Sequence, residues 1–149
     1  MRKVAIKYGI GIASVLIVYF LLLKLIGLHS YPVLSAFNGV VYGGGILIAM
    51  RRFKAESDSF NYLKGFQLGL FTGGIATVLF SFFMAIYIFQ IDTQFANAIL
   101  DSWGLIYNKG GLIIIVSLVM MGFSTSLVLS LAFMQLLKES WNTSKQGLK

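Results

Sequence analysis

Four long apolar runs, none of which contains an aspartate or glutamate, constrain this chain more tightly than any other feature. The first extends from about Val4 to Leu28 with an uncharged centre, Tyr8 to Leu23. The second occupies Tyr31 to Met50, the third Gly65 to Ile91 and the fourth Gly110 to Leu137. A hydrocarbon core about 30 Å thick takes about 20 helical residues at about 1.5 Å each, so every run is long enough to cross one. With 58% hydrophobic and 11% charged residues in 149, the chain has more apolar surface than one small soluble core can hide. The fold expected is all-α: a single integral membrane domain over residues 1–149, built as a four-transmembrane-helix bundle with a short amphipathic helix in the outer loop between helices three and four.

Lys24 is the one charge that intrudes on the runs from the outer side. A lysine at mid-bilayer costs roughly 2.5 to 3.5 kcal/mol on insertion scales, so the first span should end near it with the ammonium reaching outward to the interface. The basic start Met1-Arg2-Lys3 could also open a secretory signal. The apolar core is too long for that, and no small-x-small triplet follows promptly.

Orientation comes from the basic residues beside the spans. Arg2, Lys3, Lys7, Arg51, Arg52, Lys54, Lys64, Lys138, Lys145 and Lys149 fall on one side, and only Lys24 and Lys109 on the other. By the positive-inside rule the ten lie in the cytoplasm, with both termini. The basic excess therefore points to anionic lipid headgroups at Arg51, Arg52, Lys54 and Lys64, and not to nucleic acid. The segment Arg51–Lys64 is expected to be a solvated loop with several N-cap residues before the third helix.

The outer loop, Asp92 to Lys109, has Phe95, Ile99, Trp103 and Ile106 at helical spacing, with Asp92 or Thr93 able to cap. It reads as a helix lying on the membrane surface, with Trp103 and Tyr107 as interface anchors at headgroup level. The first loop, Gly27 to Ser30, is a tight turn carrying His29, and Pro32 suits the first turn of the second helix.

Small residues recur four apart within the spans, which sets them on one helix face where backbones can approach. Gly65, Gly69, Gly73, Thr77 and Ser81 form the longest row; Ser35, Gly39 and Gly43, then Gly122, Ser126 and Ser130, and then Ala5, Gly9 and Ala13 form shorter ones. The third-helix row is either internal packing or a face for a partner subunit. Gly11-Ile12-Ala13-Ser14-Val15-Leu16 also echoes Gly74-Ile75-Ala76-Thr77-Val78-Leu79, a match short enough to arise with or without duplication.

No constellation for catalysis, metal or cofactor binding emerges. Cysteine is absent, there is one histidine, and the polar groups within spans are Asn38, Gln67 and hydroxyls such as Ser14, Thr125 and Ser126. Proton relays and ion-coupled carriers usually place acids or histidines at the midplane. Asn38 is the best single polar contact, as an interhelical hydrogen bond or a substrate group. His29 with Asp92 or Asp101 could form an acid–base pair at the outer surface, or be merely solvated.

Tyr62-Leu63-Lys64-Gly65-Phe66-Gln67-Leu68-Gly69 opening the third helix, Ile91-Asp92 closing it, and Ala132 to Lys138 ending the fourth resemble domain-of-unknown-function family 4199. Its members look like small four-helix proteins of the bacterial inner membrane. The resemblance implies that location and topology and carries no activity, cofactor or catalytic residue. A proline expected after the aspartate is Thr93 here. The reading favoured is an accessory or scaffold subunit that binds another membrane protein or a second copy. A small carrier or channel subunit, which would use Asn38 and the Gly43-Gly44-Gly45 bend, and a membrane enzyme acting on lipid stay open beside it.

Overall fold

The computed structural model describes residues 1–27, 32–57, 61–102, 104 and 110–137. They form α1 (Arg2–Leu25), α2 (Pro32–Glu56), α3 (Tyr62–Ile86), one turn of π-helix (Tyr87–Ile91), α4 (Phe95–Ser102) and α5 (Gly110–Leu137). The described residues contain helices and turns and no strand.

Local chemistry sets several of these boundaries. α1 stops where Ile26 N–H donates to Leu22 O and Gly27 N–H to Lys24 O, with Gly27 at φ +74°, a left-handed conformation that glycine adopts without a side-chain penalty. α2 was expected to end near Met50, yet it runs on to Glu56. Its last turn is stabilised by an Arg52–Glu56 ion pair of 2.6 Å at i,i+4 spacing, so the first six residues of the anticipated loop, Arg51 to Glu56, are helix. α3 begins at Tyr62, three residues before the expected Gly65, because extended Asn61 caps it: its Oδ1 accepts from Lys64 N–H at 2.9 Å.

α3 is the hub of the bundle. It packs on α1 through one face and on α5 through another, while α2 touches all three. Small residues allow these approaches. A Cβ placed on Gly9 of α1 would lie 2.8 Å from Ile75 Cβ and 3.0 Å from Thr72 O, and one on Gly45 of α2 would lie 2.7 Å from Ile12 Cδ1. Two apolar clusters result. The larger joins Ile12, Leu16, Tyr42, Ile46, Met50, Leu68, Ala76 and Met134, and the smaller joins Phe20, Met84, Tyr87, Ile88, Phe95 and Ala96.

Three helical stretches, Arg2–Leu25, Tyr62–Ile91 and Gly110–Leu137, are long and apolar enough to cross a membrane. α2 has the length, 25 residues, but its glycines and its Arg51-Arg52-Phe53-Lys54 end make it less apolar than the others. The outward faces carry Val15, Val18 and Leu22 on α1, Phe71, Val78 and Phe82 on α3, and Val116, Met120 and Val128 on α5, all exposed. Apolar surface on three sides of a small protein is what lipid covers, and water does not.

Candidate functional site

The small-residue row of α3 lies against α5. Gly65, Gly69, Gly73, Thr77 and Ser81 are all buried, and the facing row on α5 is Gly122, Ser126 and Ser130, running the other way. The two rows interlock. A Cβ on Gly69 would meet Ser130 Oγ and, at 3.1 Å, Met50 Sδ; one on Gly73 would meet Ser126 Oγ and, at 2.7 Å, Tyr42 Oη; one on Gly122 would meet Thr77 Cγ2. Gly69, Gly73 and Gly122 each accept a hydroxyl-bearing side chain from the opposite helix, so this part of the face is covered within the chain.

Tyr42 of α2 closes this seam from the side. Its hydroxyl oxygen lies 2.9 Å from Gly73 O, 3.0 Å from Gly122 O and 2.9 Å from Thr77 Oγ1, so one phenol joins α2, α3 and α5. Ser126 Oγ reaches Gly69 O and Leu70 O at 3.4 Å each, and Thr72 Oγ1 donates to Leu68 O at 2.7 Å within its own helix. Ser130, Ser126, Tyr42 with Thr77, and Ser81 thus form a column of hydroxyls beside three turns of α3. The two ends of the column differ from its middle: Ser130 Oγ and Ser81 Oγ are buried and have no hydrogen-bond partner. Sequence reading missed Tyr42. The available signal was a tyrosine inside an apolar helix, whose hydroxyl needs a partner when buried in lipid or protein.

A second polar group sits where α1 ends and α4 begins. Lys24 ends α1 with its Nζ 3.9 Å from Asp92 Oδ2 and 4.3 Å from the centre of the Tyr87 ring. Tyr87 Oη donates to Asp92 Oδ2 at 3.3 Å, and Asp92 Oδ1 accepts from Phe95 N–H at 3.1 Å, which caps α4. The π turn makes this geometry. In a continued α-helix, at about 100° per residue, positions 87 and 92 would point about 140° apart. The wider turn, closed by Asp92 N–H on Tyr87 O at 2.9 Å, brings them to one side. Lys24 therefore has a partner within the protein.

α4 lies over these groups. Phe95 packs edge-on against Tyr87 and Phe20, with ring centres 5.4 and 5.9 Å apart, and Ala96 and Leu100 are buried beside it. Of the apolar stripe expected to face lipid, Phe95 and Ile99 are here turned onto the end of the bundle. The physical reason is local: only three residues separate the π turn from α4, too short a connection to leave the aromatic cluster. Trp103, Tyr107 and His29 lie outside the described residues.

The remaining expected residues fall elsewhere. Asn38 is half-buried, with Oδ1 buried and lacking a hydrogen-bond partner. Arg51 and Arg52 are exposed, whereas Lys54 Nζ donates to Leu137 O at 2.9 Å and so caps the C-terminus of α5. No group of three or more metal-ligating side chains occurs among the described residues.

No curated protein and no solved structure gives a match to this chain. A family model, Protein of unknown function (DUF4199), matches residues 7–103. That span takes in α2, α3 with its π turn, α4, the Tyr62–Gly69 pattern and Ile91-Asp92, and it ends before α5 and the Ala132–Lys138 stretch. The match exceeds half of the chain, and the protein belongs to the DUF4199 family.

Proposed function

We propose that this protein is a four-span accessory or scaffold subunit of a bacterial inner membrane that holds another membrane protein against the outward face of α5. The observation that carries the reading is how little of α5 the bundle uses. Over 28 residues only Gly110, Ser126, Ser130 and Met134 are buried, while Met120, Met121, Leu127 and Val128 are exposed together with Ser117, Ser124 and Thr125. Hydroxyls at the middle of a span serve helix–helix contacts, and methionines adapt to varied partner surfaces. A photo-crosslinking residue at Met121 or Val128 is expected to give one adduct of discrete mass in cells. Adducts to lipid alone at both positions would remove the reading's main support.

A second reading, a small carrier or channel subunit, draws on the buried Asn38, Ser81 and Ser130 oxygens without partners. Solute or ion flux in liposomes holding the purified protein would favour it.

In the proposed topology α2 also crosses the membrane. Its length, its packing between α1, α3 and α5, and the burial of Tyr42, Ile46, Ala49 and Met50 support that reading. Both termini and the α2–α3 connection then lie inside, with exposed Arg51 and Arg52 at anionic headgroups, while α4 lies outside with Trp103 and Tyr107 following it as interface anchors. The chain has no cysteine, so single cysteines report without background. Ala98→Cys is expected to react with an impermeant maleimide on intact cells, and Ala55→Cys only after permeabilisation. The reverse pattern is what three spans, with α2 left outside, would produce.

A further inference from the structure

We propose that α4 and the π turn form a hinged lid over the outer end of the hydroxyl column, with Asp92 as its latch, and that release of the lid admits water to Ser81. The inference rests on the four-span reading only for the word outer.

The lid is short and bounded on both sides by turns. Residues 92–94 precede its eight residues, and Gly104, at φ +70°, follows them with its N–H on Asp101 O. Short elements between such turns open locally at lower free energy than the core they cover. Asp92 gathers three polar contacts at the junction of the lid with the bundle: the cap on Phe95 N–H, the acceptor for Tyr87 Oη and the partner of Lys24. Lys24 and Asp92 are 34% and 33% exposed and 3.9 Å apart, so the latch is within reach of water although the rings around it are not. The π turn, a rare element, is what aligns these groups.

Beneath the lid lies an unmet need for hydrogen bonds. Ser81 is 4% exposed and its Oγ has no partner, one turn below Met84, which the lid's Phe95 and Ala96 help to bury. A buried hydroxyl without a partner is costly, and opening the cover above it supplies water. The desolvated hydroxyl therefore favours the open state, and Asp92 with Phe95 favours the closed one.

Ser81→Cys in this cysteine-free chain, reacted in membranes with a small charged methanethiosulfonate, measures the opening. Labelling is expected to be slow in the parent and about tenfold faster with Asp92→Ala, which removes the cap and both side-chain contacts. Asp92→Asn keeps a capping oxygen and loses the charge, so its rate should fall between the two. Ser130→Cys, at the far end of the column, should stay unreactive in every background. An unchanged rate at position 81, or an equal rise at position 130, would overturn the lid, the second outcome because it reports general loosening. Labelling of Ala98→Cys in the same membranes tests the topology separately: if it reacts only from the inside, the proposed topology fails while the rates at position 81 still judge the lid.

Discussion

Gly73→Leu is expected to destabilise the isolated protein by about 3 kcal/mol or more, beyond the usual cost of overpacking, because the clash begins at Cβ. A Cβ there would lie 2.7 Å from both Ser126 Cβ and Tyr42 Oη, so a longer side chain must part α3 from α5 and break the tyrosine junction together. In mild detergent this should appear as a midpoint of thermal unfolding lower by roughly 10 °C for a chain of this size. Gly69→Leu should act in the same direction with a smaller effect, since one of its neighbours is the flexible end of Met50. Gly39→Ala is the control. Nothing lies within 4 Å of a Cβ at that position, and alanine is the better helix former, so stability should hold or rise by up to about 1 kcal/mol. The seam can also be tested by size exchange: Gly69→Ala should lose stability and Gly69→Ala with Ser130→Gly should recover most of it. If Gly73→Leu unfolds at the parent's temperature, the α3–α5 seam described here is wrong.

The second large effect is expected at Tyr42. Tyr42→Ala removes a ring that is 7% exposed together with its hydroxyl, and should cost about 3–5 kcal/mol. Tyr42→Phe keeps the ring and isolates the hydroxyl. Interhelical hydrogen bonds in membranes average only about 0.6 kcal/mol, but this oxygen meets groups on two other helices, so a loss of about 1–2 kcal/mol is expected. Thr77→Val should be non-additive with Tyr42→Phe, because each removes one side of the same contact. Additive losses in that cycle would mean that the two hydroxyls do not share a bond.

Much of the helical content was legible without coordinates, because lipid allows few backbone solutions and an apolar run of span length can only be a helix. The described part of the fourth run, Gly110 to Leu137, is helix throughout. The errors fell where charge begins. The helix after Met50 continues through Arg51-Arg52-Phe53-Lys54 because charged residues in a last helical turn are compatible with helix and only incompatible with hydrocarbon, so hydropathy marks where a span stops and not where a helix does. At the other end of the bundle, period alone showed that Phe95 and Ile99 share a face. It could not show whether lipid or protein meets that face, since both are apolar.

Sequence by itself determined the class of the molecule and the small-residue rows, since each depends only on residue type and helical period. Tertiary structure decided which rows meet. It set Gly69, Gly73 and Thr77 against Ser130, Ser126 and Gly122, brought Tyr42 onto both, and used a π turn to join Asp92 to Lys24 across 68 positions of sequence. Those pairings depend on the rotation and depth of one helix against another, and four apolar helices of similar length admit many such arrangements until specific hydroxyls and glycines select one.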